Sequence, residues 1–156
     1  MKITAWRIFK KKLKASAFTG EGARRFGGRW NSKGKSVIYA SQSPSLAVLE
    51  ILVHLQKQDF LNAYLLAAIS FDDSLIITLP KSKLPSNWRN YPAPVALQKI
   101  GDKWLAEGTS VVLKVPSVLL ALESNYLIDP IHPDFSICLL GKPQPFSFDP
   151  RLIAGR

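Results

Sequence analysis

Cysteine, histidine and, in the first quarter, acid are what this sequence has little of. A single cysteine, Cys138, excludes an intramolecular disulfide and makes a reducing cytoplasm the expected compartment. The two histidines, His54 and His132, leave little for metal chemistry. Glu50-x-x-x-His54 is the one ligand-like spacing, and no third ligand accompanies it. The same scarcity argues against a serine nucleophile, because only these two residues could act as its base and no Gly-x-Ser-x-Gly turn occurs. Apolar runs stop short of the roughly 18 residues that a membrane span needs. From Met1 to Lys14 charges recur every few residues, a pattern without a signal-peptide core. What remains is a globular composition, 47% hydrophobic and 21% charged, in 156 residues, and one domain over 1–156 is expected.

The shortage of acid is local. Residues 1–40 carry eleven Lys/Arg against one acid, Glu21, so the whole net charge of +10 sits in the first quarter. The remainder holds ten bases and ten acids. Such a field calls for an anionic partner: nucleic acid, a phosphorylated metabolite or an acidic protein surface. Arginines set among glycines suit discrete phosphate recognition, whereas Lys10–Lys12 and Lys14 fit a solvated loop.

Periodicity predicts a strand over Ile3–Phe9, then a glycine-rich segment from Gly20 to Arg29, then a strand over Ser36–Ala40. Ser43 and Pro44 supply an N-cap and an N1 proline for a helix running to about Gln58. Strands are expected over Tyr64–Phe71, Ser74–Leu79, Thr109–Val115 and Phe135–Leu140. A helix is expected over Val95–Leu105, ended by Gly108, and loops over 80–94 and Asn125–Pro133. Strands outnumber helices without regular alternation, so the class is α+β.

Glu50 is the strongest chemical signal. Eight of the ten residues Leu46–Leu55 are apolar, which predicts a largely buried helix, and the exceptions, Glu50 and His54, lie four apart on one face. A carboxylate among apolar neighbours needs a partner or a purpose. Function is one reading; an exposed stripe, or a Glu50–His54 pair, is the other. Gly27-Gly28-Arg29-Trp30-Asn31 lets backbone and guanidinium approach a phosphate, although Gly-Gly-Arg also occurs in ordinary turns. Trp30 is expected in the core. Ser117, after Val115-Pro116, is either displayed at a strand end or a plain turn serine.

Together these segments resemble the RES domain family, named for its Arg, Glu and Ser. The resemblance runs in order through Trp6-Arg7-Ile8, Gly22–Arg25, Gly28–Asn31, Val37–Ala40, Ala47–Glu50, Gly101–Leu105, Val115–Val118, Asn125–Ile128, His132–Phe135 and Phe148–Leu152. Asp129-Pro130 stands where the family usually has Asn-Pro. The resemblance implies a split, curved β-sheet core with surrounding helices, similar to ADP-ribosyltransferase toxins. It implies a toxin that cleaves NAD at the nicotinamide–ribose bond by hydrolysis or phosphorolysis, or transfers ADP-ribose to a protein. NAD enters as substrate, and no cofactor or metal is implied.

The residues then take roles by that resemblance. Arg7 and Arg29 would hold the diphosphate or neighbouring ribose oxygens, Tyr39 would stack on the nicotinamide, and Ser117 would hydrogen-bond substrate nearby. Asn125 would orient a neighbouring group, and Glu50 would sit at the reacting ribose. The implied partner is an Xre-type helix-turn-helix antitoxin that blocks the cleft and alone reads DNA, with no membrane contact; a homodimer is left open. A nucleic-acid-binding module using the basic first quarter is the reading from another class, and it leaves Glu50 unexplained.

Overall fold

The computed structural model describes residues 1–155. Eight strands form one sheet: β1 (Lys2–Lys10), β2 (Ile38–Ser41), β3 (Tyr64–Asp72), β4 (Ile76–Thr78), β5 (Val112–Pro116), β6 (Ser124–Ile128), β7 (Leu139–Leu140) and β8 (Gln144–Phe146). Their order is β4-β5-β6-β2-β1-β3-β7, with β8 also on β3. Three α-helices join them: α1 (Glu21–Phe26), α2 (Pro44–Leu52) and α3 (Val95–Glu107). β1 and β3 pair from Lys2↔Asp72 through Lys10↔Tyr64, and β6 pairs with β5 along its whole length and with β2 from Asn125 to Ile128. Between these halves β1 and β2 share the single pair Trp6↔Ser41. The result is the expected α+β fold with a split, curved sheet.

Alternation along the central strands buries both faces. Val112, Tyr126 and Ile128 join a cluster with Ala5, Ile38 and Ile69. Leu113, Val115 and Leu127 point the other way, to Trp30 and to Leu97 and Trp104 of α3. Helix α3 lies hard against the glycine-rich loop: a Cβ on Gly101 would overlap the Trp30 carbonyl oxygen. Gln98 Nε2 donates to Gly28 O and Asn31 O at 3.0 and 3.1 Å, and the Asp102 carboxylate accepts from the backbone N–H and the hydroxyl of Ser32. Gly108, at φ 60°, ends the helix in the left-handed conformation that glycine adopts freely. Among the described residues no helix is long and apolar enough to cross a membrane.

Several elements differ from the sequence expectation. Helix α2 stops at Leu52, not near Gln58, because Gln56 and Asp59 form a capping box that starts a new 3-10 turn over Lys57–Leu61. It buries only Leu46, Ala47 and Leu52, with Leu49 and Val53 exposed. His54 falls beyond the helix and is exposed, so the Glu50–His54 face does not form. The Asn125–Pro133 loop is for its first half a central strand, since Tyr126, Leu127 and Ile128 are buried and paired on both sides. The turn begins only at Asp129, whose carboxylate accepts from Ile131 N. The late strand over Phe135–Leu140 shrinks to two residues, because His132 and Pro133 open a 3-10 turn through Ile137. The strand expected over Ser74–Leu79 keeps only its middle, parallel to β5.

Candidate active site

The sheet supplies a polar constellation where β2, β6 and β5 run side by side, and α2 closes over it. Ser43 caps α2 by accepting from Leu46 N at 3.1 Å, and its hydroxyl reaches Glu123 Oε1 at 3.2 Å. The start of the helix is thereby tied to the entrance of β6. Glu50 then comes down onto the sheet. Its Oε1 accepts two hydrogen bonds, from Asn125 Nδ2 at 2.7 Å and Ser117 Oγ at 2.8 Å. Oε2 takes part in neither, and the side chain is half-buried, not enclosed. Two donors on one oxygen fix the carboxylate plane and leave the other oxygen out of both bonds.

Ser117 is fully buried, at 0% exposure. Its hydroxyl accepts from Leu119 N and Leu120 N, both at 3.1 Å, and gives its one proton to Glu50. Its hydroxyl thus helps to set the Glu50 carboxylate. The segment beyond it is held by Arg89, whose guanidinium donates to Val118 O at 3.1 Å.

Arg7 is half-buried on β1 and donates to Ala17 O and Tyr39 O, each at 2.9 Å. Neither acceptor is charged, so burial pushes its pKa down to about 10. A cation held this way, with donors to spare, favours an incoming anion. Arg29 extends from the glycine-rich loop to Trp88 O at 3.1 Å and Asn90 O at 3.2 Å, pinning the 80–94 loop. Burial lowers its pKa as well, and the negative charge of Glu50 opposes that shift, so the two side chains share one electrostatic field.

Tyr39 spans loop and core. Its hydroxyl donates to Asn31 Oδ1 at 2.6 Å and accepts from Trp30 N at 3.1 Å, and burial raises its pKa. Asn31, with no exposed surface, also donates to Ala23 O and Lys35 O, which makes it the knot of the loop. Trp30 is in the core as expected. A Tyr39→Phe variant leaves the buried Asn31 oxygen without its donor, which should cost about 1–3 kcal/mol. The check is the urea-unfolding midpoint; an unchanged midpoint would mean that the hydroxyl does not hold the loop.

The structure thus brings Glu50, Ser117 and Asn125 into direct contact and sets Arg29 within electrostatic reach of Glu50. Arg7 joins through the backbone of Tyr39. Sequence reasoning missed Ser41, which donates to Asn125 Oδ1 at 2.9 Å, and the Trp88 and Asn90 carbonyls. No local pattern marks them. The basic first quarter is in part consumed internally: Lys10 pairs with Asp59 at 3.0 Å and Arg24 with Glu21 at 2.6 Å.

Comparison with known proteins gives a consistent result. The RES domain matches residues 4–149. A protein named Toxin Res from Yersinia enterocolitica is 45% identical over 148 residues, covering 94% of this chain and 97% of that one. Another Toxin Res, from Photorhabdus laumondii, is 35% identical, with 97% of both chains covered. A protein from a Sphingobium species named Prs ADP-ribosylating toxin is also 35% identical, with 98% of both covered. In fold, the chain matches a solved structure of the M. tuberculosis MbcT–MbcA toxin–antitoxin complex with a TM-score of 0.77, over 98% of this chain and 87% of that one, at 22% identity.

Proposed function

Since the chain belongs to the RES domain family, whose relatives above are toxins, we propose that it acts by splitting NAD at the nicotinamide–ribose bond. The observation that carries this reading is Glu50, held at Oε1 by Ser117 and Asn125 with Oε2 left for a ligand. The C1′–N bond breaks and its electron pair leaves with nicotinamide, which becomes neutral. Positive charge develops on the ribose, as in other oxocarbenium-like transition states. A fixed carboxylate stabilises that charge and accepts a hydrogen bond from a ribose hydroxyl. The leaving group departs already activated by its own positive charge, so no acid is needed.

Arg7 and Arg29 suit the two phosphates, and the ring of Tyr39 suits the flat cationic nicotinamide. Arg29 would exchange a backbone carbonyl for a phosphate oxygen. Arg29→Lys keeps the charge and loses the planar fork, so NAD affinity should fall by about tenfold. Titration calorimetry with a hydrolysis-resistant NAD analogue measures this; unchanged affinity would leave Arg29 only the task of pinning the loop.

The nucleophile that completes the reaction is water, phosphate or a protein side chain. Transfer to a protein is the second reading, favoured by the name of the Sphingobium relative. The partner we assign is an antitoxin of the helix-turn-helix class that covers the cleft and stops turnover, with DNA contacts left to that partner. Incubating purified protein with NAD, with and without phosphate, and identifying the products tests the whole reading. Free nicotinamide with ADP-ribose or its 1″-phosphate is the expected result. Intact NAD in the presence of folded protein, with and without phosphate, would contradict cleavage with water or phosphate as the acceptor.

A further inference from the structure

Ser41 lies where the two halves of the sheet meet. It stands opposite Trp6 in the single β1–β2 pair and opposite Asn125 across β2–β6. Directly opposed residues on neighbouring strands project to the same side of the sheet. The Ser41 hydroxyl meets the Asn125 amide oxygen at 2.9 Å, and the other end of that amide meets Glu50 at 2.7 Å. Ser41 is buried, at 4% exposure, so water has little access to its end of the chain.

A carboxylate only accepts hydrogen bonds, which settles that the Asn125 NH2 faces Glu50. The oxygen end of the amide is then left to find a donor, and Ser41 provides it. Donation into that oxygen draws electron density from the NH2 and strengthens the bond it gives to Glu50. It also removes the freedom of the amide to turn. Ser117 restrains Glu50 from the β5 side, and Asn125 does so from β6. Ser117 is itself held by the backbone N–H groups of Leu119 and Leu120, whereas Asn125 is held by a side chain, that of Ser41, which a substitution can remove.

We infer that Ser41 is a positioning residue for the reaction proposed above: through Asn125 it holds Glu50 with Oε2 turned to the substrate. The inference rests on that functional reading for its kinetic consequence, but not for its structural one. Ser41 touches no substrate and leaves the binding groups in place, so its loss should lower kcat and spare KM.

The test is a double-mutant cycle of Ser41→Ala and Asn125→Ala in nicotinamide release, read together with the Asn125 side-chain NH2 signals by NMR. Ser41→Ala should lower kcat about fivefold to tenfold, the span of one lost hydrogen bond, with KM within about twofold. In the Asn125→Ala background the same change should lower kcat by less than about twofold, because its route to Glu50 is already cut. In the NMR spectrum the two NH2 protons, held apart by the bond to Glu50, should draw together in Ser41→Ala. An equal loss of kcat in both backgrounds, or no loss in either, would overturn the inference. If the native protein releases no nicotinamide, the functional reading fails and the NMR result alone decides: an Asn125 signal unmoved by Ser41→Ala overturns the positioning role.

Discussion

Glu50→Gln is expected to cut NAD turnover by about a hundredfold to a thousandfold while leaving the fold intact, the scale on which removal of a single preorganised electrostatic group acts. Glutamine has nearly the same size, so the buried residues of α2, Leu46, Ala47 and Leu52, keep their packing. What changes is the charge. Ser117 and Asn125 both donate to Oε1, and a glutamine can keep its carbonyl oxygen there. The position of Oε2 then carries an NH2 group, which repels a developing cation and donates where the carboxylate accepted. The loss should fall on kcat, because the charge that Glu50 meets exists chiefly in the transition state. Nicotinamide release, followed with unfolding curves on the same samples, is the check. A variant turning over at the native rate would remove Glu50 from the chemistry.

The largest effect on stability is expected at Gly101. Its close approach to the loop leaves no space for a methyl group, since a Cβ there would overlap Trp30 O and lie 2.8 Å from Trp30 C. Both are backbone atoms, so no rotamer relieves the clash. Helix α3 must move off the loop, and the Gln98 and Asp102 bonds to Gly28, Asn31 and Ser32 are strained with it. Gly101→Ala should destabilise the protein by about 3 kcal/mol, at the upper end of overpacking costs. Urea unfolding measures this, and the loop that presents Arg29 should loosen in parallel. A loss below about 1 kcal/mol would show that α3 and the loop can part at little cost.

Much of this is legible in the sequence for reasons that are local. Ser43-Pro44 marks the start of α2, and Gly108 the end of α3, because caps are read within a few residues. Glu50 stands out because a carboxylate in an apolar run is unusual whatever its partners. The failures are equally physical. Asn125 and Asp129 carry the same turn preference, yet Asn125 sits in the middle of the sheet, held by pairing with residues far away in the chain. Propensity yields there to tertiary pairing. Ser41 is invisible because its role depends on a register across 84 residues of sequence. Helix α2 is shorter than its apolar periodicity suggests, because that pattern runs on past Leu52 while the Gln56–Asp59 capping box restarts the chain. The roles of Arg7 and Arg29 come from the family resemblance; the structure adds that one lacks a charged acceptor and the other shares the field of Glu50.

The most direct measurement is a crystal structure of the protein with carba-NAD, in which a methylene group replaces the ring oxygen of the nicotinamide ribose and the bond resists cleavage. The account predicts that the hydroxyls of this ring lie within hydrogen-bond distance of Glu50 Oε2, with the diphosphate on the Arg7 and Arg29 guanidinium groups. A complex with the nicotinamide end bound away from Glu50, and those two arginines still holding only backbone carbonyls, would contradict it.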